Sequence, residues 1–374
     1  MPEPSIPLKK NFPMLVFTLC SVLATSPVIA LAEDAGEEPP YREKEVSFAG
    51  ATDGVQLAGT LTLPRGPGPF PAVVLVAGSG PLNRDEEVFG HRPFASIADH
   101  LSRRGLAVLR YDKRGVSKST GDFAQATTLD FAADAIAAWD YLAGRAEVDG
   151  HRVGALGHSE GGMIVPTIAA NRAETAFIVM LAGVGMTGGD LELLQNKLLK
   201  TAGGMDPEDL AFEQETIELW IKMVRADKSG EIIEDALRPR IEALAAKNPE
   251  EGKSWNRRLR SPWWRFILTH SAIPDLEKAR CPVMALNGSK DLQVPPRENL
   301  TPIAQALARS GHTDFVIREM PGLNHLFQHA VTGDESEYGK IKEAISPHVV
   351  EILGDWIIDR TYPSSRASPP RSAP

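Results

Sequence analysis

The sequence predicts a mostly parallel, doubly wound α/β sheet, covered by helices on both faces and interrupted late by a helical cap. Three observations lead there. Apolar runs at residues 72–77, 153–156, 177–181 and 282–286, and the run at 106–111 that only Arg110 interrupts, read as strands buried on both faces, because a strand with one wet face would alternate. Stretches with apolar residues at helical spacing separate these runs, and strands alternating with helices make a parallel sheet. Between residues 190 and 270 no strand candidate occurs. Three helical stripes run there instead: Leu191, Leu194 and Leu198; Ile217, Trp220, Ile221 and Val224; Leu237, Ile241 and Leu244.

Bulk properties narrow the classes. A chain of 374 residues that is 43% hydrophobic buries a sizeable core. A formal charge of -9 without a basic run argues against nucleic acid as a partner. Two cysteines, Cys20 and Cys281, exclude a disulfide scaffold, and nine histidines without an HExxH or a ligand pair predict neither metal nor cofactor. Residues 1–32 read as a signal peptide. Lys9 and Lys10 are its positive start, residues 14–24 its apolar run, and Ala30-Leu31-Ala32 the small residues a signal peptidase reads. The run is short for a hydrocarbon layer about 30 Å thick, and Leu19 before Cys20 argues against a lipoprotein signal. Cleavage after Ala32 and a periplasmic or secreted protein with no stable membrane span are the expectation.

Taken in order, residues 43–49 and 55–63 are strands joined by Thr52-Asp53-Gly54, whose Asp-Gly signals a hairpin at the antiparallel edge of the sheet. The proline-rich residues 64–69 are loop. The strand at 72–77 runs into Gly78-Ser79-Gly80-Pro81, a polar stretch follows, and residues 94–104 read as a helix closed by Gly105. The strand at 106–111 leads into Asp112-Lys113-Arg114-Gly115. Thr127 and Asp130 make a capping box for a helix that carries Phe131, Ala135, Ala138 and Leu142 on one face. After the cap, residues 302–308 read as helix, 315–318 as strand, and 338–358 as the last helix with a break at Pro347. The expected division is 41–189 and 271–360 for the core, 190–270 for the cap, and 361–374 for a tail of disordered composition.

The chemistry gathers at Gly157-His158-Ser159-Glu160-Gly161, a GxSxG between a buried strand and a helix. The two glycines let the chain turn sharply and lift Ser159 above the sheet edge as a nucleophile. A serine hydroxyl needs a histidine to take its proton and a carboxylate to fix that histidine's tautomer. In the chain order Ser, acid, His, the fitting loops are those after the next strands, carrying Asp291 and His325. Asp275, Asp314, Glu319, His312 and His329 sit at the wrong ends or too late. The oxyanion hole is expected from the backbone N–H of Glu160 and that of Ser79. Trp263, Trp264 and Phe266, with Trp255, either line an acyl pocket or pack the cap onto the core. Asp112 and Arg114 are expected to hold the oxyanion loop by an ion pair with Arg84 or Asp85.

The set Gly78-Ser79-Gly80-Pro81 with Arg84-Asp85, RYDKRGVSKS from Arg110, GHSEGG from Gly157, NGSKDLQVPPREN from Asn287 and PGLNHLFQ from Pro321 resembles the α/β-hydrolase superfamily. Within it the chain is most similar to bacterial carboxylesterases of the EstD type, neighbours of the serine aminopeptidase-like hydrolases. The resemblance implies Ser159 as nucleophile, Asp291 as acid, His325 as base, and hydrolysis of small short-chain esters. Ala77 departs from it, standing where many relatives carry His. A peptidase is the second enzyme reading, with Glu160 or a cap carboxylate holding a substrate amine. The signal peptide disfavours an acyl-CoA thioesterase, and a complete Ser-Asp-His set disfavours an inactive binding scaffold.

Overall fold

The computed structural model describes residues 38–362, so the expected signal peptide and the tail from residue 363 lie outside the described residues. Strands β1 (Tyr41–Ala49) and β2 (Gln56–Pro64) form the antiparallel hairpin, with Gly54 taking the positive φ of 79° that the turn needs. Then come β3 (Phe70–Val76), α1 (Pro93–Arg103), β4 (Ala107–Tyr111), α2 (Thr128–Ala143), β5 (Val148–His158), α3 (Glu160–Asn171) and β6 (Ile178–Leu181). Only helices follow for a long stretch: α4 (Gly188–Ala202), α5 (Pro207–Arg225), α6 (Gly230–Lys247), α7 (Pro249–Arg260), α8 (Pro262–Ile267) and α9 (Ile273–Leu276). The last described elements are β7 (Val283–Gly288), α10 (Pro296–Arg309), β8 (Phe315–Met320), a 3-10 turn at Glu335–Lys340 and α11 (Pro347–Thr361).

The eight strands make one sheet in the order β1-β2-β4-β3-β5-β6-β7-β8, antiparallel from β1 to β4 and parallel from β4 to β8. Both faces are dry. Along β3, Val74 and Val76 belong to the core shared with α2 and α3, while Val73 and Leu75 belong to the core shared with α1 and α11. Alternate side chains thus enter opposite cores, which is why the strand is apolar throughout. The topology puts the carboxyl ends of β3, β5, β7 and β8 on one edge, where α/β sheets carry their sites.

Contacts divide the chain into two units, Pro39–Asp227 with Ser261 onward, and a smaller one holding Lys228–Arg260. Within the smaller unit α6 and α7 pack closely; a Cβ on Gly252 would stand 2.4 Å from that of Ala245. In the larger unit α5 buries Ile217, Trp220, Ile221 and Val224 as the stripe implies.

Helix α4 departs from its stripe. Leu191, Leu194 and Leu198 are only half-buried, and the buried side chains are Glu192 and Asn196, the latter donating to Glu213 at 2.8 Å. Two proline positions also differ. Helix α10 starts at Pro296 and carries Pro302 inside it, because the buried Asn299 and Leu300 draw the preceding turn into the helix. Pro347 opens α11 as its first residue, where a missing N–H costs nothing, and the chain before it is not helical back to Lys340. Among the described residues no helix is long and apolar enough to cross a membrane.

Candidate active site

Ser159 stands between the end of β5 and the start of α3, with φ 54° and ψ -115°. A non-glycine residue with that backbone is strained by roughly 1–3 kcal/mol and is held there only by its surroundings. Its amide donates to Leu181 O on β6 at 2.8 Å. The flanking glycines leave no alternative: a Cβ on Gly157 would lie 2.0 Å from Gly161 O, and one on Gly161 1.9 Å from Val76 O. Helix and strands approach so closely that only hydrogen fits.

Asp291 and His325 come together. β7 and β8 pair in parallel up to Gly288 and Met320, so the loops that follow them emerge side by side. His325 Nδ1 lies 2.8 Å from Asp291 Oδ2, and the Asp291 side chain is fully buried. Its other oxygen accepts from the amides of Gln293 and Val294 at 2.9 and 2.8 Å. An ionised carboxylate so arranged can only accept, which puts the proton on Nδ1 and leaves Nε2 free to take one. Asn324 shapes the His325 loop by accepting from the amides of Leu326 and Gln328. Among the described residues Ser159 Oγ makes no hydrogen bond; free enzymes often close that contact only around substrate.

The oxyanion turn is pinned at Gly78. Its amide donates to Glu86 Oε1 at 2.7 Å, its carbonyl accepts from Lys113 Nζ at 2.9 Å, and a Cβ on it would meet the Cβ of Ser159 at 3.2 Å. The next amide, that of Ser79, and the amide of Glu160 have no acceptor among the described residues, as donors reserved for an oxyanion require. The Glu160 carboxylate is fully occupied. Lys113 Nζ donates to it at 2.9 Å, Thr128 Oγ1 at 2.7 Å and Trp263 Nε1 at 2.6 Å.

Ser79, Ser159, Glu160, Leu191, Trp263 and Trp264 line one cavity of about 70 Å³, with Gln195 and Gln293 adding polar wall. Trp263 and Trp264 thus do both things the sequence left open. They line the cavity and pack edge to face, centroids 4.8 Å apart, with Trp264 against Trp220 of α5. Phe266 is a correction: its ring stacks on His270 with centroids 4.9 Å apart and is not part of that wall. Arg114 is another. Its guanidinium goes to Asp134 and Asp130, both on α2, not to the oxyanion loop. Asp112 does hold that loop, through Arg84 Nη2 at 2.8 Å and the Arg84 amide at 2.8 Å, and Asp85 pairs with Arg110 and Arg92.

Sequence reasoning missed Glu86, Lys113 and the bonds of His158. Lys113 lies within a quoted motif, but its partner is 47 positions away, and nothing local marks Glu86 among the acidic residues of its loop. Among the described residues no group of three or more His, Cys, Asp or Glu is placed to hold a metal ion.

The sequence profile of the X-Pro dipeptidyl-peptidase (S15) family matches residues 53–321. The chain belongs to that family. It is also 39% identical over 142 residues to the esterase EstD of Thermotoga maritima, a stretch that is 38% of this chain and 32% of that protein. The chain therefore matches about a third of that relative's length. Among solved structures, the esterase of Pyrococcus furiosus superposes with a TM-score of 0.52 at 15% identity, covering 86% of this chain and 91% of its own. The alpha/beta hydrolase GrgF from Penicillium sp. sh18 gives 0.52 at 15%, over 86% and 99%. At that identity the likeness concerns the fold, which is that of the α/β hydrolases, and the S15 member described here carries it with an eight-stranded sheet.

Proposed function

We propose that this S15-family chain is an exported serine carboxylesterase that hydrolyses short-chain esters through an acyl-enzyme. One observation carries the reading: a buried Asp291–His325 pair with a free Nε2 on the sheet edge that presents the strained Ser159. In the proposed cycle His325 takes the Ser159 proton as Oγ attacks the ester carbon. The oxyanion is held by the Ser79 and Glu160 amides, and the alcohol leaves with the proton from His325. Water, deprotonated by the same nitrogen, then releases the acid. A cavity of about 70 Å³ has room for a small acyl group, which supports a short-chain preference, and the local likeness to a protein named an esterase supports the bond type.

The family's description favours a second reading, cleavage of dipeptides from an amino terminus. That chemistry needs an anionic group for the substrate ammonium. Glu160 is a poor candidate, since Lys113 already neutralises it and three donors fill it. Export rests on the pattern of residues 1–32, and the N-terminal residue of the secreted protein tests it, with Glu33 expected.

The deciding assay compares p-nitrophenyl esters from acetate to laurate with Ala-Pro-p-nitroanilide, using Ser159→Ala as control. Ester turnover that falls with chain length and vanishes in the variant is expected. Anilide turnover with little ester activity would move the assignment to peptidase.

A further inference from the structure

We propose that His158, the residue before the nucleophile, is a positioning residue held as an imidazolium, through which Glu86 ties the oxyanion turn and the His325 loop to one point of the elbow. The inference rests on the serine-hydrolase reading of the site. Period-two alternation along β5 sends His158 to the same face as Leu156, into the core shared with α1. It is 6% exposed there, and a buried imidazole without partners would be costly.

Both ring nitrogens face acceptors. Nε2 lies 2.9 Å from the backbone carbonyl of His325, which can only accept, so Nε2 bears a proton. Nδ1 lies 3.0 Å from Glu86 Oε1, and that same oxygen accepts the Gly78 amide at 2.7 Å. In the proposed form the proton of this pair lies on Nδ1, so that Oε1 accepts both the Gly78 amide and the imidazolium N–H, a charge-assisted contact. Glu86 is held for this task. It sits at φ 54°, its amide donates to Asn83 O at 2.9 Å, and Phe327, two residues past His325, is likewise at φ 58°.

The groups facing His158 agree. From the loops after β3, β7 and β8 come Glu86, Asp291 and His325, the rings of the two histidines standing 4.7 Å apart. From α1, β6 and the approach to α11 come the apolar Pro93, Phe94, Ile97, Leu181 and Ile345. Burial by itself lowers the basicity of the imidazole; the Glu86 charge and hydrogen bond, the His325 carbonyl and Asp291 outweigh it, and the net direction is upward. The consequence is geometric. Gly78, which precedes the Ser79 donor, and the backbone of the base are joined through Glu86 and His158 to the residue bonded to Ser159, so none of the three can drift independently.

Neither Glu86 nor His158 lines the cavity beside Ser159, so their effect belongs in turnover and not in substrate affinity. The test uses the full chain labelled with 15N-histidine at pH 8, with His158→Gln to assign the signals. It adds phosphonylation rates of Ser159 with a fluorophosphonate and p-nitrophenyl acetate kinetics for wild type and Glu86→Gln. Expected are two protonated nitrogens on His158 in the wild type and, in Glu86→Gln, loss of the Nδ1 proton with the Nε2 proton kept. The variant's kcat and phosphonylation rate are expected to drop about 10- to 100-fold with KM changed less than about twofold. A wild-type His158 protonated on one nitrogen, or a Glu86→Gln kcat equal to wild type, overturns the inference alone. A wild-type chain inert to the fluorophosphonate overturns the hydrolase reading and this inference with it.

Discussion

A single exchange of oxygen for nitrogen at Asp291 separates the two things its carboxylate does. Oδ1 accepts two backbone amides and shapes the loop after β7, and an asparagine keeps that oxygen. Oδ2 accepts from His325 Nδ1 at 2.8 Å, and an asparagine puts an NH₂ there instead. His325 must then turn a lone pair toward residue 291 and carry its proton on Nε2, where it cannot take one from Ser159. Asp291→Asn should therefore lower kcat on p-nitrophenyl acetate by about 10⁴-fold while the thermal midpoint stays close to wild type. A loss below tenfold would mean that His325 does not act through this pair.

At the scale of elements, the β1–β2 hairpin is tied to the parallel sheet by charge as well as by its ladder. Glu147, just before β5, accepts from Arg145 and from Lys44 of β1, each at 2.9 Å. These bonds, Arg145 first and Lys44 second, bring its carboxyl from 4.5 down to about 2. A carboxyl lowered on folding stabilises the protein above its unfolded value and loses that contribution as pH falls through the folded one. Glu147→Gln should cost about 0.5–1 kcal/mol at pH 7, the size of a partly exposed pair, in urea unfolding. The gap should narrow from pH 4.5 toward 2, and a gap independent of pH would locate the effect elsewhere. The central strands β3, β6 and β7 were legible because burial on both faces leaves continuous apolar runs, and α2 because Thr127 and Asp130 form the reciprocal cap the sequence spells. Helix α4 was misread because Leu191 lines a cavity while Asn196 is buried against Glu213, so its apolar stripe does not mark its buried face. Pro302 misplaced the start of α10 because the burial of Asn299 and Leu300 outweighs the missing donor of a proline.

For the whole molecule, one sheet edge gathers four loops from positions 78 to 325, and the order of strands makes part of that gathering readable. Ser159, Asp291 and His325 follow from the rule that ligand-facing loops end parallel strands. Glu86 and Lys113 do not, since their partners are set by packing between loops that no spacing encodes. The least readable part is the chamber's outer wall, where Trp263 of α8 meets Glu160 of the elbow. Here the excursion between β6 and β7 touches the reaction edge, and its effect on acyl choice is measurable. Trp263→Ala removes one of three donors to Glu160 but leaves Lys113 and Thr128 in place, so the carboxylate stays paired. It also removes an indole from the wall of a cavity of about 70 Å³. Longer acyl chains then gain buried surface at about 0.8 kcal/mol, or roughly fourfold, per accommodated methylene. The ratio of kcat/KM for hexanoate over acetate should rise at least about tenfold in Trp263→Ala. Trp263→Phe, which keeps an aromatic ring but no donor, separates volume from hydrogen bonding: a ratio near wild type assigns the limit to volume, and one near that of the alanine variant assigns it to the Glu160 bond that orients the ring. If the ratio in Trp263→Ala matches wild type, Trp263 packs the excursion without limiting the acyl chain.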